Sequence, residues 1–98
     1  MEIKSSGNKI MITGNIKSIN HYQSIANELD KLKNSHQNIT IYIYDSISIT
    51  SSVIGHLCKL VSTTNLALSL FVENDSLHSL LSELNLIQTL NVKKINNQ

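Results

Sequence analysis

Three adjacent hydroxyls, Thr50, Ser51 and Ser52, stand just ahead of an apolar run, Val53, Ile54, Leu57, Leu60 and Val61, that has helical spacing. The plain use of such a cluster is helix capping, because a side-chain oxygen there accepts from an N–H group that the helix leaves unpaired. A second use follows from the same unpaired N–H groups and the positive end of the helix dipole. A phosphate carried there is tolerated by the helix and displays its charge to a partner. Ser52 and His56 are four residues apart on one helix, and Asp45 ends the preceding strand, so a Ser–His–Asp hydrolase can be drawn. It is set aside: no glycines flank Ser52 to form an oxyanion hole, and no G-x-S-x-G turn is present. His21, His36, His56 and His78 show no metal-ligand spacing, and Gly7, Gly14 and Gly55 are too far apart for a phosphate loop. Cys58 lies beside the apolar stripe and reads as a packed thiol. No metal or other cofactor is expected, and the chain reads as a binding protein, not an enzyme.

The elements that must position these residues follow from periodicity. A short strand over Glu2–Lys4, a turn at Ser5, Ser6 and Gly7, and a firmer strand over Lys9–Thr13 predict a hairpin. Ile19, Tyr22, Ala26, Leu29 and Leu32 mark one face of a helix that ends near Lys33 and Asn34. Residues 38–45 alternate Ile39, Ile41 and Ile43 with Thr40, Tyr42 and Tyr44, the period-2 pattern of a strand. Ser51 or Thr50 is the expected N-cap of the second helix. A strand over Leu66–Val72 comes next, then a helix capped by Asn74 or Asp75 with the stripe Leu77, Leu80, Leu81 and Leu84. An extended segment near Thr89–Lys93 closes the chain.

One parity of the strands is uniformly aliphatic, and the other carries Met11, Thr13, Thr40, Tyr42, Tyr44, Ala67, Ser69 and Phe71. The expectation is a single α/β domain over residues 1–98. It has a mixed sheet of four to five strands and three to four helices lying mainly on the aliphatic face. Ninety-eight residues allow one core, burying roughly two-thirds of the surface that the unfolded chain exposes.

The charge balance narrows the partner. All eight basic residues are lysines, dispersed from Lys4 to Lys94, and the net charge is +1. Without arginine forks or a dense lysine patch, nucleic-acid recognition and attachment to a membrane surface by charge are not expected. A lone cysteine, no apolar signal segment and no span-length apolar run predict a cytoplasmic protein without membrane insertion.

Over most of its length the sequence resembles the STAS family, the sulfate-transporter and anti-sigma-factor-antagonist domains. The resemblance is carried by the strand ITIYIYD at 39–45, the loop and helix start SISITSSVIGHLCKL at 46–60, the strand LALSLFVE at 66–73 and the helix NDSLHSLLSELNL at 74–86. Ser51, Ser52, Ile54 and Gly55 fit the family signature at the helix start, while Thr50 stands in place of its aspartate and Val53 in place of its first glycine. The resemblance implies a STAS-like domain acting in bacterial signal transduction by partner switching, as a monomer or weak homodimer. Its partner would be an anti-sigma factor or a serine kinase-like protein, and Ser52, with Ser51 as second choice, would be the phosphorylated residue. Thr50, Ser51, Ser52, Val53 and His56 would form the partner-binding surface. A second role within the family is a small subunit docked on the ATPase of a membrane lipid transporter, and a third is a constitutive interaction module that is never phosphorylated.

Overall fold

Alternation in the strands decides which side of the sheet is covered. In the computed structural model, which describes residues 1–95, β1 (Glu2–Ser6), β2 (Lys9–Thr13), β3 (Asn38–Tyr44), β4 (Ala67–Val72) and β5 (Val92–Lys94) form one sheet in sequential order. β1 runs antiparallel to β2, and the remaining neighbours are parallel. Register aligns Ile10 with Ile41, Ile41 with Leu70 and Leu70 with Val92. Parallel rows set Ile12 beside Ile43 and Val72, and Ile39 beside Leu68. All of these side chains are buried.

Three helices cover that face: α1 (Ile19–Lys33), α2 (Ser51–Thr63) and α3 (Asp75–Glu83). Each connects one parallel strand to the next, and crossovers of a single hand in a sequentially ordered sheet must fall on one side. Ile25 and Leu29 of α1, Val53, Leu57 and Leu60 of α2, and Leu77 and Leu81 of α3 join the aliphatic strand residues in a single core. Over the described residues the sheet is therefore mixed and five-stranded with three helices on one face, as the sequence pattern predicts. No described helix is long and apolar enough to cross a membrane.

Local chemistry fixes the ends of the elements. The β1–β2 turn takes two residues, Gly7 and Asn8, because Ser6 already pairs with Lys9, and Gly7 adopts the φ of 60° that this tight turn requires. β1 thus runs two residues beyond the expected Lys4. Ser18, Thr50 and Asn74 cap the three helices, accepting from the N–H groups of His21, Val53 and Leu77.

Four expectations shift. Ile19 begins α1 but is 72% exposed, and Ile25 takes its place in the core. Leu84 is the C-cap of α3 and is exposed. Leu66 precedes β4 and is half-buried. β5 starts at Val92, because the expected Thr89 lies in a turn from which Leu90 drops into the core.

Candidate functional site: the N-terminal turn of the second helix

α2 starts where the sequence left two caps open, and Thr50 is the cap. Its Oγ1 accepts from Val53 N–H at 3.3 Å, and its carbonyl accepts the first intrahelical bond from Ile54 N–H at 3.1 Å. Ser51 and Ser52 are then the first two helical residues. Both are exposed, and among the described residues neither hydroxyl makes a hydrogen bond. Their backbone N–H groups belong to the first turn, which has no intrahelical acceptor for them and carries no acidic residue. Capping is thus done by Thr50 alone, and the hydroxyls of Ser51 and Ser52 are left to solvent.

The loop before α2 is anchored from below. Asp45 leaves β3 at φ 52°, a left-handed conformation that aspartate tolerates, and donates its N–H to Glu73 at 2.9 Å. Ser46 is buried, its hydroxyl donating to the Ser48 carbonyl. Two further bonds tie this loop to the β2–α1 connection: Ile47 N–H donates to Asn15 Oδ1 at 2.9 Å, and Ser48 donates to the Ile16 carbonyl at 3.1 Å. Ile16 is fully buried under them. This lacing leaves Ile47 62% exposed, although the loop around it is well held. An open cleft of ≈ 350 Å³ lies beside it, lined by Asn15, Asp45, Ser46, Ile47, Glu73, Asn74 and Asp75. On the rim of the cleft Lys94 pairs with Asp75, and the hydrogen bond and charge of that ammonium hold the Asp75 carboxyl below the usual carboxylate range.

Two residues expected on the partner-facing surface are placed elsewhere. Val53 is buried, because the helical repeat sets it in line with Leu57 and Leu60, and its side chain fills the core. His56 turns toward α1. Its ring meets Tyr22 edge-on at 5.9 Å, and its Nε2 lies 3.7 Å from Asp30 Oδ1. That pairing takes the imidazole away from the drawn hydrolase: no hydrogen bond joins Ser52 to His56 among the described residues, and the carboxylate facing the ring is Asp30 rather than Asp45.

The other chemistry-bearing side chains stay dispersed. His21 Nδ1 accepts from Lys17 N–H, and His36 Nδ1 lies 3.3 Å from the Leu32 carbonyl. Cys58 is half-buried against the core. Among the described residues no three His, Cys, Asp or Glu side chains are grouped to hold a metal ion. Ile47 is the residue of this surface that sequence reasoning missed. An apolar residue set between Ser46 and Ser48 was its one signal. Compared with known protein families, curated proteins and solved structures, the chain matches none.

Proposed function

We propose that the protein is a non-enzymatic, STAS-like regulator of the cytoplasm that binds an anti-sigma factor or serine kinase-like partner through the N-terminal turn of α2, and that phosphorylation of Ser52 releases the partner. One observation carries this reading. Ser52 is exposed at a helix N-terminus whose capping is done by Thr50, so its hydroxyl is accessible and its modification costs the fold no hydrogen bond. A phosphate on Ser52 lies near the unpaired N–H groups of the first turn and the positive end of the helix dipole, which offset its charge locally. A partner pressed against the same turn meets a charge of roughly −1.5 to −2 that it must desolvate.

Ile47 extends the surface. An exposed aliphatic side chain on a hydrogen-bonded loop costs little entropy to bury and supplies an apolar contact beside the polar turn. Thr50, Ser51, Ser52 and Ile47 then form the docking surface, with Val53 and His56 supporting it from below and from the side.

The test is affinity capture from cell extract with the unmodified chain, followed by mass spectrometry of bait and prey. Recovery of a kinase-like or anti-sigma partner that Ser52→Asp fails to retain supports the proposal. Equal recovery of that partner by both forms contradicts the switch.

A further inference from the structure

The second face of the sheet carries a pattern of its own. Register places Lys4 opposite Met11, Met11 opposite Tyr42, Tyr42 opposite Phe71 and Phe71 opposite Lys93. A single row of side chains, Lys–Met–Tyr–Phe–Lys, therefore crosses all five strands on the side that no described helix covers. Its middle is apolar and its rings lie close together. Tyr42 and Phe71 stack at 5.0 Å with planes 16° apart, Tyr44 stacks on Tyr42 at 6.3 Å, and the Lys93 ammonium lies 5.8 Å from the centre of the Phe71 ring. Both ends are cationic and exposed, and Lys9 on β2 adds a third exposed ammonium. Of the carboxylates at the strand ends, Glu2 is exposed at one corner, with Thr13 as its register partner on β2, and Glu73 is engaged by the Asp45 N–H.

We infer that this row is a second docking surface, independent of the α2 turn, and that its occupant is an amphipathic helix of a partner protein with an apolar stripe and carboxylates toward both ends. Helices cover the faces of a mostly parallel sheet in α/β architecture, so a helix laid along the row Met11, Tyr42 and Phe71 fits in shape. The length fits as well. Four inter-strand steps span roughly 19 Å, the length of a helix of about 13 residues. Charge selects among occupants. A second copy laid face to face with strands aligned brings lysine onto lysine at both ends, whichever way it is turned. Single-stranded nucleic acid requires free ring faces for its bases, and here the rings stand against one another with Lys93 beside the outer one. A helix with acidic ends meets the lysines and buries Met11, Tyr42 and Phe71.

The test uses the ¹⁵N-labelled 98-residue chain and two synthetic amphipathic peptides of roughly fourteen residues. Both have the same leucine stripe, one with glutamates and one with lysines at its ends. The glutamate peptide is expected to shift the amide resonances of Met11, Tyr42, Phe71 and Lys93 and to bind at least tenfold more tightly than the lysine peptide. Lys4→Glu combined with Lys93→Glu, both at exposed positions, should invert that order. Equal binding of the two peptides, or shifts confined to the helical face, would overturn the inference. So would an oligothymidine that perturbs this row when the glutamate peptide does not, or a reversible dimer in sedimentation that buries the same residues.

Discussion

Thr50, Ser51 and Ser52 are neighbours with the same functional group and different work, and the difference is measurable. Thr50→Ala removes an N-cap and should cost about 1 kcal/mol in denaturant unfolding. Ser51→Ala and Ser52→Ala remove no hydrogen bond and should stay within about 0.5 kcal/mol of the parent. A larger loss at Ser52 than at Thr50 would show that the capping assignment is wrong. The sequence left the cap open between Thr50 and Ser51 because either hydroxyl can accept from a first-turn N–H; the choice depends on where the backbone leaves the extended region, which tertiary anchoring of the 45–49 loop decides. Val53 and His56 were misplaced for a related reason. Both lie within one turn of Ser52 in the sequence, but nearness along a helix does not give a shared direction. Asp75 supplies a separate check. Its carboxyl should titrate below the ordinary 3.8, lowered by the Lys94 hydrogen bond and charge, and return toward that value in Lys94→Met. Because the folded value is depressed, the contribution of this pair to stability is present above the unfolded pKa and fades as pH falls through the folded one. Carbon-detected titration of Asp75 in both forms reads this directly.

At the scale of elements, strict alternation in β2, β3 and β4 made both their existence and their facing legible, because a strand slipped by one residue would turn its whole aliphatic set to water. Leu57, Ile41 and Leu68 are buried as that pattern requires. Truncating each to alanine should destabilise by about 2–5 kcal/mol, read from denaturant midpoints. Midpoints that barely move in all three variants would contradict the packing. The edge strands were less legible. The residues at the end of β1, Ser5 and Ser6, carry no apolar signal, and their strand character comes from pairing with Ile10 and Lys9. β5 has one buried residue, Val92, and is set by pairing with Leu70, so its start could not be read from periodicity. Ile19 failed for the opposite reason: it has helical spacing, but it occupies the first position of α1, and the core contacts of that helix begin further along it.

For the whole molecule, the one-sided arrangement of the helices follows from sequential strand order and crossover handedness, and the composition of the two strand parities had already indicated which side they would choose. The lacing of the β2–α1 and β3–α2 loops was not legible, since Asn15 with Ile47 and Ile16 with Ser48 join residues far apart in the chain through bonds that no local pattern encodes. Ile47 is left exposed on the loop that leads into α2, and if it belongs to the proposed docking surface Ile47→Ser should weaken partner binding by about 1–2 kcal/mol while leaving thermal stability close to the parent. Calorimetric titration with the captured partner reads the first, and a thermal melt reads the second. A variant that binds as tightly as the parent would remove Ile47 from the docking surface.

Affinity of the captured partner for the unmodified protein and for the protein phosphorylated at Ser52, with a thermal melt of each, tests the account most directly. The two forms should melt within a few degrees of one another, because the first turn of α2 accommodates the phosphate. The phosphorylated form should bind about 1–3 kcal/mol more weakly, because the partner must desolvate the added charge. Unchanged affinity with authentic phosphate on Ser52 would contradict it and leave the protein a constitutive binding module.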